Sequence, residues 1–395
     1  MHDLIVFSHL RWDFVYQRPQ HLLSRLARDR RVFYFEEPEF VAGPADTSTN
    51  TPVNTEALSA ASISVSSPCP GVTVLRPRTP VDAAGFADAQ LSVLAPLLRQ
   101  WLADHGVRDA VAWFYTPMAL PLLGVVPARA VVYDCMDELS AFDFAPPQML
   151  RREAELLQRA DVVLTGGPSL YDAKKSRHAN VHCFPSSVEV AHFAPVGERI
   201  DDCGIAKPRL GFFGVIDERL DLGLIAALAQ AEPDWQIVMA GPVVKIDVAS
   251  LPRAPNIHWL GQQSYTALPA LVQGWQVCLL PFALNASTRF ISPTKTLEYM
   301  AAEKPVVSTA VHDVVRLYGD QIRVASDTGS FIAMCRAALA EDTAQRWIRI
   351  ATMRAAVSRT SWDRTADAVR SLIDEAADVR EAATRRAVPA AQQNH

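Results

Sequence analysis

The strongest constraint on the fold of this chain is a repeated alternation of short β-branched or aromatic runs with longer segments of helical period. In the N-terminal half the runs are LIVF, RVFYF, AVAWFY, AVVYD and DVVLTG. A second series, which starts at Arg209, contains LGFFG, WQIVMAG, NIHWLG, VCLLPF and PVVST. Such alternation is typical of βαβ units, in which helices cover a mostly parallel sheet. The sequence therefore predicts an α/β fold with two sheets.

The length of the chain agrees with two domains, because 395 residues exceed the roughly 250–300 residues that one hydrophobic core serves. Between the two series lies a stretch rich in proline and turn residues, which is typical of a hinge. A Thr-, Ser- and Pro-rich stretch from Gly43 to Pro70 predicts a long loop. The predicted division is an N-terminal domain at 1–188, a hinge at 189–207, a C-terminal domain at 208–360, a final helix at 361–380 and a flexible tail at 381–395.

The composition excludes some classes of function. Hydrophobic residues make up 49%, charged residues 21%, and the net charge is −5, without the basic excess that is typical of nucleic-acid binding. The six cysteines show no CxxC spacing, so neither a disulfide framework nor a zinc cluster is expected.

The N-terminus lacks the features of a signal peptide, and no segment reaches the roughly 18 apolar residues of a membrane helix. The predicted location is therefore the cytoplasm. One early helix and its exit carry Arg25, Arg28, Arg30 and Arg31. Such a basic face is typical either of a solvated helix or of peripheral contact with anionic lipid at the inner face of a membrane, and both interpretations stay open.

The most informative segment follows the run VCLLPF, since ligands of open α/β sheets bind at the carboxyl ends of the strands. Here Ser292 is a candidate N-cap and Pro293 a candidate first helical residue, followed by Thr294 and Lys295. A helix start presents free N–H groups and partial positive charge, which suit a phosphate. A cation such as Lys295 in the first turn is unfavourable unless an anion binds there.

Glu298 follows Lys295 by three residues and lies on the same helix face. Its carboxylate can accept hydrogen bonds from both hydroxyls of a ribose. The pair therefore predicts a nucleoside diphosphate site, with phosphates at the helix start and ribose one turn further. An exposed i,i+3 salt bridge is the alternative interpretation.

The segment SPTKTLEYMAAEKPVVST resembles the nucleotide-binding segment of retaining glycosyltransferases of the GT-B type, the glycosyl transferases group 1 or family 4-like proteins. Many relatives carry a further glutamate two turns earlier, where this chain has Phe290. The resemblance implies two Rossmann-like domains with a cleft between them and a C-terminal helix that crosses back. The matching positions are Glu298, Met300, Ala301, Lys304, Pro305, Val306 and Val307.

The segment LGFFGVIDERLDLGLIAAL resembles the first strand, loop and helix of the donor domain in this family. The resemblance implies that the backbone at Gly214 approaches phosphate and that Arg219 is a second cation on the diphosphate. An Arg219 paired with Asp217 or Asp221 is the alternative. The segment NIHWLGQQSYTALPALV resembles the part of these proteins that frames the nucleotide base. The resemblance implies that Gly261, Gln262 and Tyr265 contact the base. The alternative is that they are ordinary loop residues.

The loop after the first strand is crowded with polar and aromatic residues: His9, Arg11, Trp12, Asp13 and Arg18. It lacks a GxGxxG fingerprint, which argues against a dinucleotide in this turn. With VVYDCMDELSAF, this loop resembles bacterial transferases of cell-surface polysaccharides, including the teichuronic-acid type. The five residues are therefore candidate acceptor contacts, with a structural role for His9 as an alternative.

Acidic residues follow the strand AVVYD and are expected to face the cleft. Asp137 is the candidate contact to the donor sugar, with a helix-capping role as the alternative. Asp134 is expected to hold the loop.

Together these features predict a glycosyltransferase with Asp137, Arg219 and Lys295 as its catalytic residues. The donor is expected to be a UDP- or GDP-sugar and the acceptor a saccharide or a lipid-linked saccharide, with neither a cofactor nor a metal ion. A sugar-nucleotide epimerase of the same architecture and a non-catalytic sugar-nucleotide-binding protein are the alternatives.

Overall fold

The protein is described by a computed structural model that covers residues 2–41, 61–195, 197 and 204–387. The parts of the predicted loop, hinge and tail at 43–60, 196, 198–203 and 388–395 lie outside these residues. The N-terminal domain is built on a 9-stranded sheet. Its strands are β1 (Asp3–Ser8), β2 (Val32–Glu36), β3 (Glu39–Phe40), β4 (Ser62–Cys69), β5 (Val72–Thr79), β6 (Ala110–Phe114), β7 (Ala128–Cys135), β8 (Val162–Thr165) and β9 (Val181–Cys183).

The order of this sheet is β3-β5-β2-β1-β6-β7-β8-β9, and only β4, paired with β5, runs antiparallel. Successive side chains of a strand point to opposite faces of the sheet. An uninterrupted apolar run such as that of β1 therefore contributes side chains to the hydrophobic cores on both faces. Leu4 and Val6 enter the core on one face, and Ile5 and Phe7 enter the core on the other. The covering helices are α1 (Arg18–Leu26), α2 (Leu91–Asp104), α3 (Met149–Arg159) and α4 (Pro168–Lys174).

The C-terminal domain has a 6-stranded parallel sheet of order β12-β11-β10-β13-β14-β15. This is the Rossmann order, and its direction reverses between β10 and β13, where a ligand crevice is expected. The strands are β10 (Arg209–Phe213), β11 (Gln236–Ala240), β12 (Ile257–Gly261), β13 (Val277–Leu280), β14 (Val306–Thr309) and β15 (Arg323–Ala325). After the short α5 (Val190–Phe193), the helices are α6 (Leu222–Ala231), α7 (Leu268–Gln273), α8 (Lys295–Ala301), α9 (His312–Tyr318), α10 (Thr328–Leu339), α11 (Thr343–Val357) and α12 (Trp362–Ala387).

Helix α12 crosses back onto the N-terminal domain, as predicted. Its apolar residues recur every three or four positions and form one stripe, which packs against α1, β7 and β8. The buried residues of this stripe are Ala366, Val369, Ile373, Ala376 and Ala377.

The predicted basic face of α1 contacts acidic side chains rather than standing free. Arg25 and Arg28 both bond to Asp363 of α12, and Arg30 bonds to Asp374. These bonds fasten the crossing helix. None of the described helices is long and apolar enough to span a bilayer.

Two predictions about irregular segments were wrong in part. The predicted loop from Gly43 to Pro70 contains β4, because the alternating run SISV pairs with β5 despite its serine content. The predicted tail is helical over 381–387, since α12 continues to Ala387.

Candidate functional site

A cavity of ≈ 100 Å³ lies between the two domains, at the carboxyl ends of the strands. The N-terminal domain contributes residues that follow β7, β8 and β9, and the C-terminal domain contributes residues that follow β10 and β13. Residues at the strand ends of both sheets therefore meet at one place. The lining residues are Gln17, Arg18, Met136, Asp137, Gly166, Ser186, Val215, Arg219, Phe282, Ile291, Ser292, Pro293, Thr294 and Lys295.

The turn before α8 forms one wall of this cavity. Helix α8 begins at Lys295, two residues later than the start predicted from Ser292 as N-cap and Pro293 as first helical residue. The reason is that the Pro293 carbonyl accepts a hydrogen bond from the Thr296 N–H at 3.1 Å, an i+3 bond of the 3₁₀ type. The Thr294 hydroxyl donates to Ser186 at 2.9 Å and so ties this turn to the N-terminal domain.

Lys295 lies against the backbone of Gly214, which follows β10. Gly214 has φ +140°, and a Cβ added there would collide with Cε of Lys295. Burial lowers the pKa of Lys295, and Arg219 lowers it further, while Glu298 opposes the shift. A buried ammonium beside a second cation gains an interaction partner when an anion binds. The expected approach of the Gly214 backbone to the phosphate position is thus compatible with the structure.

Glu298 is buried one turn behind Lys295, with 5% of its surface exposed. Burial raises the pKa of Glu298 to about 7, with Lys295 opposing the rise and Glu189 adding to it. The alternative of an exposed salt bridge is wrong, because Glu298 is buried and Lys295 is half-buried. A carboxylate of this kind is ready to accept hydroxyl hydrogen bonds from a ligand.

Arg219 lines the cavity and also pairs with Asp217, its Nη2 lying 2.6 Å from Oδ2. The guanidinium lies 5.6 Å from the ring centroid of Phe142, so it is held from both domains. The alternative interpretation, an Arg219 paired with Asp217, is therefore realised, while its role as a second cation on the diphosphate stays a prediction. The remaining donors of the guanidinium can still face a ligand.

Asp137 faces Arg219 and Lys295 across the cavity. Burial raises the pKa of Asp137, Arg219 and Lys295 lower it, and Asp217 raises it. Asp137 caps no helix in the described structure, since the nearby 3₁₀ turn starts at Glu138 without a side-chain cap. The structure thus brings the three predicted catalytic residues to one cavity, while their roles stay predictions.

The residues predicted to frame the base do not line this cavity. Gly261 has φ +66° and open space beside it. Gln262 donates to the Phe14 carbonyl of the N-terminal domain. Tyr265 stacks on Tyr16 with ring centroids 4.5 Å apart. Gln262 and Tyr265 thus hold the two domains together next to Glu298. Burial raises the pKa of Tyr265, and the charge of Glu298 adds to the rise.

The polar loop after β1 is held by internal contacts. Arg11 donates to the Glu37 carbonyl at 2.6 Å and to the Glu36 carboxylate at 3.1 Å. Trp12 packs edge-on against Tyr34, with centroids 5.1 Å apart. These contacts are structural, and acceptor binding by Arg11 and Trp12 stays a prediction.

Asp13 in the loop and Arg18 at the start of α1 differ in burial. Asp13 is exposed and pairs with Arg76 at 3.1 Å. Arg18 is 3% exposed and pairs with the fully buried Asp134, its Nε lying 3.1 Å from both carboxylate oxygens. Asp134 therefore holds the loop, as predicted, and Arg18 reaches the cavity while anchored to β7.

Two charged residues near the polar loop, Lys245 beside His9 and Glu37 beside Arg11, were not singled out by the sequence. Burial lowers the pKa of His9 to about 4, and the positive charge of Lys245 adds to the effect. Burial raises the pKa of Glu37 to about 7, opposed by Arg11 and Lys245. Glu37 follows β2, so its place at a strand end was the available signal, whereas Lys245 reaches the site from the other domain. His9 stays a candidate acceptor contact.

Phe290 stands where many relatives have a glutamate. Its side chain packs against the core of the N-terminal domain, and the Arg289 guanidinium lies 5.3 Å from its ring centroid. Phe290 thus forms part of the contact between the two domains.

Among the described residues, no group of three or more His, Cys, Asp or Glu side chains is arranged to hold a metal ion.

Comparison with known proteins gives a profile match for the C-terminal domain and a fold for the whole chain. Residues 207–345 match the sequence profile of the glycosyl transferases group 1. TuaH of Bacillus subtilis (strain 168), a protein named for teichuronic acid biosynthesis, is 27% identical over 237 residues, 55% of this chain and 59% of the relative. The match thus spans less than two thirds of that relative.

Two solved structures resemble the whole described architecture. Sucrose-phosphate synthase from Thermosynechococcus elongatus has a TM-score of 0.70 at 14% identity, covering 95% of this chain and 99% of its own. HepE from Anabaena, solved with UDP and glucose, has a TM-score of 0.67 at 16% identity, covering 95% of this chain and 100% of its own. The predicted fold is confirmed: this chain has the GT-B fold, and residues 207–345 of its C-terminal domain match the profile of the glycosyl transferases group 1.

Proposed function

We propose that this protein transfers a sugar from a nucleoside diphosphate sugar to a saccharide or lipid-linked acceptor. The observation that carries the proposal is the cavity that gathers Lys295, Arg219 and Asp137 between two Rossmann-like domains. The group 1 family profile over the C-terminal domain supports the reaction class. The donor binds this domain, with its phosphates at the Ser292–Lys295 turn and its ribose at Glu298.

The positive charges of Lys295 and Arg219 favour departure of the nucleoside diphosphate. As the bond between the anomeric carbon and the β-phosphate oxygen breaks, negative charge grows on that oxygen. Lys295 and Arg219 stabilise this charge, and their effect is large because the site is withdrawn from water. The acceptor hydroxyl oxygen then bonds to the anomeric carbon, and its proton passes to the departing diphosphate.

Asp137 positions the donor sugar. Its buried carboxyl, whose pKa is raised, can accept or donate a hydrogen bond to a sugar hydroxyl. Retention of the anomeric configuration, by attack on the face that the phosphate leaves, is part of the proposal on the strength of the family resemblance. The reaction is also proposed to need neither a cofactor nor a metal ion, since two side-chain cations face the phosphate position.

A role in the synthesis of a surface polysaccharide completes the proposal. The relative TuaH is named for teichuronic acid biosynthesis, which supports a saccharide product. The acceptor enters from the N-terminal domain, near His9.

A ligand screen tests the donor site. UDP-, GDP- and ADP-sugars are compared by thermal shift, with UDP-sugars expected first because HepE was solved with UDP. Lys295→Ala and Glu298→Ala are expected to weaken nucleotide binding about tenfold or more. Lys175→Ala, which removes an exposed lysine of the other domain, is the matched control. Unchanged affinity in both donor-site variants would show that the assignment is wrong.

The alternatives give different products. An epimerase would convert the bound sugar nucleotide without an acceptor, which chromatography of the nucleotide sugar detects. A non-catalytic binding protein would bind donor but transfer nothing to any acceptor. Activity that EDTA abolishes and a divalent cation restores would contradict the metal-free mechanism.

A further inference from the structure

A second cavity, of ≈ 660 Å³, lies next to the hinge. It opens between three parts of the chain: the segment Phe184–Ser187 after β9, the segment Val315–Gln321 at the end of α9, and the connection between α11 and α12. Its size is in the range of sites that enclose a small metabolite. No step of the proposed transfer reaction uses it.

The lining of this cavity combines cations with hydroxyl groups. Arg359 donates to the Ala355 carbonyl, and Arg364 donates to the Ser358 carbonyl. Within the part of the chain that the structure describes, neither guanidinium has a carboxylate partner, and the only carboxylate of the lining is Asp320. The hydroxyl groups of the lining belong to Ser186, Ser187, Tyr318, Thr360, Ser361 and Thr365.

This combination fits a phosphorylated sugar. Guanidinium groups bind phosphate oxygens in pairs of parallel hydrogen bonds, and hydroxyl groups bind the hydroxyls of a sugar ring. The first turn of the 26-residue α12 lies at the same rim and adds its partial positive charge. We propose that this cavity binds a small phosphorylated sugar as an effector, held at its phosphate by Arg359 and Arg364.

The position of the cavity couples it to the donor site. Ser186 lines both cavities, and its hydroxyl accepts the hydrogen bond of Thr294 in the turn before α8. Beside it, Asp313 accepts hydrogen bonds from the Ser169 N–H and hydroxyl at 3.0–3.3 Å and joins α9 to the N-terminal domain. A ligand that contacts both domains here stabilises their present arrangement, and it therefore changes the affinity of the donor site.

Isothermal titration with glucose 6-phosphate, and separately with inorganic phosphate, tests this effector site in the Lys295→Ala protein, whose donor site is impaired. The Lys295→Ala protein is expected to bind glucose 6-phosphate as the parent protein does. The double variant Arg359→Gln/Arg364→Gln is expected to bind it about tenfold or more weakly. Arg99→Gln, at an exposed arginine of α2, is the control and is expected to bind normally.

The outcomes separate this proposal from the proposed function. Equal binding by the double variant and the control, equal affinity for inorganic phosphate and glucose 6-phosphate, or loss of binding with Lys295→Ala alone would each overturn the effector site. None of these results depends on whether the chain transfers sugars. Conversely, a failure of nucleotide sugars to bind at Lys295 would leave this test intact.

Discussion

At the residue scale, the contact between Gly214 and Lys295 gives a sharp test of the donor site. A side chain at Gly214 has to adopt φ +140° and collides with the end of Lys295. Gly214→Ala is expected to displace the ammonium and to weaken nucleotide binding about tenfold or more, with a stability loss of about 1–3 kcal/mol. Fluorescence titration and thermal unfolding measure both quantities.

Gly124→Ala is the matched control, because a Cβ at Gly124 meets nothing within 4 Å. It is expected to bind nucleotide as the parent protein does. A Gly214→Ala protein with normal affinity would show that Lys295 does not hold the phosphates.

The pKa of Glu298 gives a second test at this scale. Because burial raises this pKa from 4.5 to about 7, the folded protein binds a proton that the unfolded chain has lost at intermediate pH. The Glu298 contribution therefore lowers the free energy of unfolding as the pH rises from 4.5 to 7. Glu298→Gln is expected to stabilise the ligand-free protein at pH 8 by about 1–3 kcal/mol.

The same substitution is expected to weaken nucleotide binding, since the amide accepts fewer hydrogen bonds from the ribose hydroxyls. Denaturant unfolding at pH 5 and pH 8 measures the change in the free energy of unfolding. Glu298→Gln is expected to raise it at pH 8 and to change it little at pH 5. Equal changes at both pH values would mean that Glu298 does not titrate in this window.

Sequence reasoning at this scale succeeded where the signal was local. Lys295 and Glu298 lie on one short helix, so their spacing indicated a shared site. Glu37 and Lys245 were missed because Glu37 meets Arg11 from the end of another strand and Lys245 reaches His9 from the other domain. Arg11 was assigned to the acceptor because its pairing with Glu36, 25 residues away, leaves no pattern in the sequence.

At the element scale, the buried pair of Arg18 and Asp134 anchors the start of α1 to β7. Removing one partner leaves an uncompensated charge in a site that excludes water. Asp134→Ala is therefore expected to lower the free energy of unfolding by about 3–5 kcal/mol, as measured by urea unfolding. Asp13 lies in the loop before α1 and forms an exposed pair with Arg76. Asp13→Ala is therefore expected to lower the free energy of unfolding by less than about 1 kcal/mol. Similar losses in the two variants would contradict an anchoring role.

The elements that the sequence predicted best are the buried parallel strands. Runs such as VVYD of β7 are apolar on both faces and have few alternatives. Strand β4 was missed because only the side chains of Ile63 and Val65 in its first half are apolar and its pairing with β5 is what makes it a strand. The start of α8 was misplaced by two residues, because the first turn is of the 3₁₀ type, with the Thr296 N–H donating to the Pro293 carbonyl.

At the scale of the whole molecule, the two domains were predictable and their contacts were not. Length, the hinge composition and two runs of alternating elements indicate two units. The closure of the cleft depends on pairs such as Gln262 with Phe14 and Tyr16 with Tyr265, which are about 250 residues apart in the chain. Separations of this size are invisible to periodicity.

Contacts between the two domains hold the cleft in its present arrangement. Tyr16 stacks on Tyr265, and Gln262 donates to the Phe14 carbonyl. A separation of the domains that admits the donor breaks both contacts, so Tyr16 and Gln262 oppose that opening.

Tyr16→Ala combined with Gln262→Ala is accordingly expected to shift the ligand-free protein toward an open form. Small-angle X-ray scattering should show a larger radius of gyration for the double variant, and donor should compact it again at a higher concentration than the parent protein needs. Phe40→Ala, at an exposed aromatic of the N-terminal domain, controls for the loss of a surface ring. If the double variant has the same radius of gyration as this control, Tyr16 and Gln262 do not determine the closure of the cleft. The salt bridges of α12 with Arg25 and Arg30 are then the contacts that hold the domains together.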